Sequence, residues 1–335
     1  MTEAEETIRA ALADMGLAGA RDDYTLTPLV GGISCDVFMA ELPARRAVVK
    51  RALPKLRVTA DWRAPPERSE AEVAWIKLVA GINPAWVPQV LGEDRTRHVF
   101  AMAYLPPAQY PLWKAQLAEG HIDAHFAASV GAALARIHAA TAGRTDIAAA
   151  FDNRAQFHAL RVEPYLLHAA GNNPDVAATI REIANGVESS SIALMQGDIS
   201  PKNILRGPEG PVFLDAETAC YGDPAFDLAF CLNHLLLKGA WHPQYAAALS
   251  NAFAALKDAY LKGVSWEDAS ALDRRTAPLL AALLLARVDG KSPVEYLPDA
   301  RKRDFVRAQA KAFLQVPTLT LDTIIVRWTE ALKTL

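Results

Sequence analysis

The chain is poor in cysteine: Cys35, Cys220 and Cys231 are the only three among 335 residues. They are odd in number, set in apolar stretches and never spaced as CxxC. That argues against a zinc site or a disulfide framework and leaves buried free thiols as the expectation. Charge of one sign is also scarce. Lys and Arg number 35 against 38 Asp and Glu, for a formal charge of -3. Such a balance gives no reason to expect nucleic acid or an anionic membrane as partner. Long hydrophobic runs are missing too: the apolar stretch Ala277–Ala286 falls well short of the roughly 20 residues of a membrane span. Met1–Gly16 lacks a basic start followed by an apolar core, so it reads as an amphipathic helix, not a secretory signal. No internal repeat or low-complexity tract is present. A cytoplasmic protein, monomeric or homodimeric, is the expectation. With 51 % hydrophobic and 22 % charged residues, the chain has the mix of an ordinary globular protein and can bury a core without staples.

What is present falls into two halves. Tyr24–Val30 and Cys35–Leu42 read as strands around Gly31-Gly32, and Ala47–Ala52 as a third, β-branched strand. Ser69–Ala80 has helical periodicity. Pro88–Leu91 and His98–Tyr104 read as short strands before Pro106-Pro107 breaks the pattern. Helices follow: Phe126–Ala140, weaker ones at Arg154–Ala169 and Pro174–Glu188, and a run from Asp227 onward. Between them Ser191–Leu214 turns strand-like. The order predicts an α+β layout, with a β-rich unit over 1–105 and a mainly helical unit over 106–335.

The densest chemistry lies in Gln196-Gly197-Asp198-Ile199-Ser200-Pro201-Lys202-Asn203. Asp198 precedes Asn203 by five residues, the spacing that puts a proton-accepting carboxylate and an oxygen ligand for Mg²⁺ on one loop. Twelve residues on comes Asp215, in Leu214-Asp215-Ala216-Glu217. Gly207–Pro211 is a turn signal, so Ile204-Leu205 and Val212–Leu214 can pair across it and bring Asn203 beside Asp215, where they can share Mg²⁺. Glu217 is either a further metal ligand or a solvent-facing side chain.

The string from Gln196 to Phe230 resembles the aminoglycoside phosphotransferase and choline-kinase-like family. Gly197-Asp198, Asn203, Asp215-Ala216-Glu217, Gly222-Asp223-Pro224 and Asp227-Leu228-Ala229 follow in that family's order. Val49–Pro54 with Arg57 and Glu67-Arg68 resembles, in part, the methylthioribose kinases of the same superfamily. The resemblance implies a two-lobed protein-kinase-like fold, ATP and Mg²⁺ as cofactors, Asp198 as the catalytic residue and Asn203, Asp215 and Glu217 as metal ligands. It implies a small-molecule hydroxyl acceptor: a sugar, an amino alcohol or an aminoglycoside-like compound. Asp289, Glu295 and Asp299 are interleaved with Lys291, Arg301 and Arg303, which favours the less cationic of these. Gln196 stands where the family has His. This departure leaves a second reading, a nucleotide-binding regulatory module that no longer transfers phosphate; retention of both Asp198 and Asp215 argues against it.

Ala47-Val48-Val49-Lys50 matches the strand that carries the phosphate-pairing lysine of kinases. Ending an apolar run, Lys50 needs a partner. Glu70 and Glu72 are on offer, and the resemblance favours Glu72. Gly31, Gly32 and Ser34 form a turn whose backbone amides can approach phosphates. By resemblance, Met102 and Tyr104 lie on the hinge that meets adenine. Asp223 and Asp227 read as structural acids at a turn and a helix start. Arg287–Ser292 is read as a solvated helix end or a pocket wall.

Overall fold

The computed structural model describes residues 2–19, 22–29, 34–57 and 64–335; Gly31 and Gly32 lie outside them. The first helix, Glu3–Asp14, starts at Thr2 through a capping box with Glu5. Five antiparallel strands follow as one sheet in the order β1-β2-β3-β5-β4. These are β1 (Thr25–Pro28), β2 (Cys35–Leu42), β3 (Arg45–Ala52), β4 (Val90–Asp94) and β5 (Val99–Ala103). β4 begins beyond Pro88, which has no N–H to give to a ladder.

The pleat of β3 explains where its lysine goes. Ala47 and Val49 turn to one face and pack with Ile8 and Leu12 of the first helix and with Phe38 and Ala40 of β2. Val48 and Lys50 fall on the other face and line a cleft. Pairing of Val37 with Lys50 and of Lys50 with Phe100 sets that register, and a slip of one residue would turn the lysine into the apolar layer. The helix Arg68–Ile82 buries Glu72, Val73, Trp75, Ile76 and Val79.

Beyond Ala103 the chain is mainly helical. Ala124–Thr141, capped by Asp123, lies so close to Ala246–Gly263 that a Cβ at Gly131 would come within 2.2 Å of the Leu256 carbonyl oxygen. At the centre runs Ala225–Trp241, buried from Ala225 to Ala240. A helix apolar all round belongs inside a core; this one also buries Asp227, Asn233, His234 and Lys238. The stretch expected as one weak helix over 154–169 is instead π-helical from His158 to Leu167, with Pro164 inside. Proline removes one rung of the i→i−4 ladder, and the wider turn accommodates the loss. The strand-like stretch resolves into β6 (Ala193–Met195), β7 (Ile204–Gly207) and β8 (Gly210–Phe213). β6 pairs with β9 (Cys220–Gly222), a strand too short to stand out by pattern. All three cysteines are buried and free. Among the described residues no helix is long and apolar enough to cross a membrane.

Candidate active site

A cleft of about 630 Å³ opens between the sheet and the helical half. On its sheet wall Lys50 is 6 % exposed. Its Nζ donates to both Glu72 carboxylate oxygens at 2.7 Å and to Asp215 Oδ1 at 2.8 Å. Glu72, not Glu70, therefore meets the lysine, because Glu72 lies on the buried side of its helix. Burial pulls the Lys50 ammonium down, but Asp215 and Glu72 outweigh it and hold it well above its ordinary value. One cation is shared by two carboxylates, and they divide it unequally. Burial pushes Glu72 up to about 7 against the pull of Lys50. Asp215 is likewise penalised by burial, but Lys50 and Lys202 bring it down to about 2.

The opposite wall carries Asp198, 3 % exposed. Its Oδ2 accepts from Asn203 Nδ2 at 2.9 Å and lies 3.0 Å from Lys202 Nζ and 3.2 Å from Arg161 Nη2. The loop is shaped from behind. Asp227 accepts the Gln196 and Gly197 amides at 2.7 and 2.8 Å, and His138 stands 3.3 Å away. Asp227 is thus a structural acid. So is Asp223, which takes Arg275 at 2.6 and 3.0 Å. Gly197 sits at φ 80°, where a Cβ would come within 2.7 Å of Thr218 Oγ1; only glycine takes that place without strain.

Gln196 ties the two chemical segments together. Its Oε1 accepts the Asp198 amide at 2.6 Å, and its Nε2 donates to the carbonyls of Leu214 at 2.7 Å and Asp215 at 3.2 Å. An amide side chain holds a donor and an acceptor at once, which is what this position requires. The β7–β8 hairpin pairs Ile204 with Phe213, and the Leu214 amide donates to the Asn203 carbonyl at 2.9 Å. Asn203 and Asp215 are thereby brought side by side. Asp215 takes φ 65°, a left-handed conformation that few non-glycine residues adopt and that marks a constrained site.

The donor set suits a hard divalent cation. Asp215 keeps its charge far below neutral pH, and with Oδ1 on Lys50 its Oδ2 is available. Asn203 spends its Nδ2 on Asp198, leaving Oδ1. Glu217 is differently placed: it is 9 % exposed, neither solvent-facing nor uncommitted. Its Oε2 accepts from Arg68 Nε at 2.9 Å and lies 3.7 Å from Cys35 Sγ. Arg68, with no exposed side-chain surface, also donates to the carbonyls of Ser34, Leu53, Ala64 and Pro65. It fastens the sheet half to the Asp215–Glu217 segment.

Ser34, Met102 and Tyr104 all line the cleft. Arg161 was missed at the level of sequence. It reaches the cleft from the π-helical segment and donates from Nε to the Gly197 carbonyl at 2.6 Å. Nothing in an arginine of a weak helix marks it; the placement depends on the widened turn. Of Arg287–Ser292, Ser292 lines the cleft, Arg287 donates to Tyr165 Oη at 3.1 Å, and Lys291 pairs with Glu163 at 2.7 Å.

The chain resembles known proteins along most of its length. Methylthioribose kinase 1 of Oryza sativa subsp. japonica is 24 % identical over 66 % of this chain, and the match spans 58 % of that enzyme's length. The structure of a choline/ethanolamine kinase family protein from Mesorhizobium loti superposes with a TM-score of 0.54 at 18 % identity, over 98 % of this chain and 99 % of that one. An amicoumacin kinase in complex with AMP-PNP, Ca²⁺ and Ami superposes with a TM-score of 0.56 at 12 % identity, over 99 % and 96 % of the two chains. These likenesses establish the mixed α+β, protein-kinase-like fold. The profile of the phosphotransferase enzyme family matches residues 25–261, and the chain belongs to that family.

Proposed function

We propose that this protein transfers the γ-phosphoryl group of ATP to a hydroxyl of a small molecule. The observation that carries the reading is the meeting of two walls across one cleft. Lys50, braced by Glu72, contacts Asp215 on one side, and Asp198 stands on the other, linked to Asp215 through Gln196 and Asn203. Residues 1–105 would form the nucleotide-binding lobe and 106–335 the catalytic and acceptor lobe. Lys50 would grip the phosphates, and Ser34, Met102 and Tyr104 would border the nucleotide. Asp198 would orient the acceptor hydroxyl and take its proton as the new P–O bond forms and the bond from γ-phosphorus to the bridging oxygen of ADP breaks. Asn203 and Asp215 would hold Mg²⁺, and Glu217 would keep Arg68 in place from the same segment. When bound, Mg²⁺ supplies neutralisation of the charge that builds on the phosphate oxygens.

The second reading, a nucleotide-binding regulatory module that no longer transfers phosphate, is disfavoured by the presence of both Asp198 and Asp215 in one cleft, with Gln196 holding the two segments together. ADP release from Mg·ATP across a panel of small alcohols and sugars is the direct assay. We expect acceptor-dependent turnover in the natural protein and its loss in Asp215→Ala, with cooperative thermal unfolding retained. Undiminished turnover in the folded variant would refute the assignment.

A further inference from the structure

The phosphotransferase reading leaves open what the acceptor looks like around its hydroxyl. We propose that the acceptor carries an anionic oxygen group, a carboxylate or a phosphate, held near Asp198 by Lys202 and Lys114; this rests on the reading of the cleft as a phosphotransferase site.

The case begins with charge. On the nucleotide side the acids outnumber the cations: Glu72 and Asp215 share Lys50, and Glu217 takes Arg68. Around Asp198 the balance reverses. This one carboxylate has Lys202 at 3.0 Å and Arg161 at 3.2 Å. Arg161 commits one donor each from Nε, Nη1 and Nη2 to the Gly197 carbonyl, the Leu160 carbonyl and Asp198, and it adds its charge to the cleft lining. Lys202 keeps donors to spare, with its side chain 51 % exposed. Lys114 lines the same cleft and forms no ion pair among the described residues. Arg287 stands behind them against Tyr165. Among the described residues the acids lining the cleft are Asp198, Asp215 and Glu217, each in contact with a cation of this chain.

A second observation lies just behind that wall. Lys238 is 1 % exposed, and among the described residues its Nζ has no hydrogen-bond partner. It rests on the rings of Tyr296 and Trp241, 4.7 and 5.1 Å from their centroids. Burial, and then the Lys114 charge, bring its ammonium down to about 8. Nearby His234 is held well below its usual value by burial and then by Arg287, Lys238, Lys202 and Lys114. Lys238 is not among the residues lining the cleft, so it adds field and no contact; that field favours an oxyanion held by charge-assisted hydrogen bonds to the cleft-lining Lys114 and Lys202. A polycationic acceptor would meet repulsion from the same groups.

Thermal unfolding of the protein with Mg·AMP-PNP provides the test. Glycerate, glycerol 3-phosphate, glycerol and ethanolamine are added in turn. We expect glycerate or glycerol 3-phosphate to raise Tm by several degrees and the neutral and cationic analogues to leave it unmoved. The larger of the two anion shifts tells carboxylate from phosphate. In Lys114→Glu the anion shift should vanish while Mg·AMP-PNP still stabilises. No shift with either anion, equal shifts with all four probes, a shift with ethanolamine alone, or a full anion shift in Lys114→Glu overturns the proposal. Failure of Mg·AMP-PNP itself to stabilise the natural protein would instead overturn the phosphotransferase reading.

Discussion

Replacing Lys50 with methionine removes the charge at the centre of the site but keeps a long apolar stem beside Phe100. What remains is Glu72, 1 % exposed, with its one cation among the described residues gone and Asp215 still beside the vacated position. In the natural protein Glu72 titrates at about 7, above its ordinary carboxylate value. A raised acid binds its proton more readily folded than unfolded, so stability falls as pH climbs from the unfolded value to the folded one, then levels off. In the natural protein that fall is complete near neutrality. In Lys50→Met the lowering influence of the lysine is lost and the folded value moves further up, so the fall continues above neutrality. One proton held only by the folded state is worth roughly 1–1.5 kcal/mol per pH unit, hence up to about 3 kcal/mol between about pH 7 and pH 9. Asp215, held down to about 2 in the natural protein, adds no slope there. Urea unfolding at the two pH values checks this. The variant should lose stability steeply while the natural protein does not, and Lys50→Met combined with Glu72→Gln should abolish the difference. Parallel pH profiles for Lys50→Met and the natural protein would show that Glu72 is not a buried acid sharing this lysine.

Two further outcomes are expected. Gln196→Ala leaves the Asp198 amide and the Leu214 carbonyl without partners, which costs about 1–3 kcal/mol; acceptor turnover should fall more than stability, and unaltered kcat would show that the bridge does not position Asp198. Arg68→Ala leaves Glu217 without its guanidinium and the Leu53 and Ala64 carbonyls without that donor, while the Ser34 and Pro65 carbonyls keep the amides of Leu53 and residue 68. Loss of one partner from a buried pair costs about 3–5 kcal/mol, so the midpoint of urea unfolding should drop accordingly; a drop below about 1 kcal/mol would place Glu217 in solvent.

Much of this protein was legible in the order of its residues. The hairpin joining Asn203 to Asp215 follows from turn residues between two short apolar runs, and local chemistry of that kind needs no distant partner. The need of Lys50 for a partner follows from its place at the end of an apolar run, and the choice of Glu72 over Glu70 came from the family resemblance. The three buried thiols are the outcome that apolar surroundings dictate. Tertiary structure alone decided the rest. Arg161 reaches Asp198 only because a proline-bearing segment widens into a π-helical turn. Arg68 meets Glu217 across 149 positions of chain, and Lys114 and Lys202 reach one cleft from separate segments. Sequence pattern reports what a residue does with neighbours three or four places away. Where charges from distant segments face one another across a cleft, the packing of the core sets the distance, and with it the chemistry.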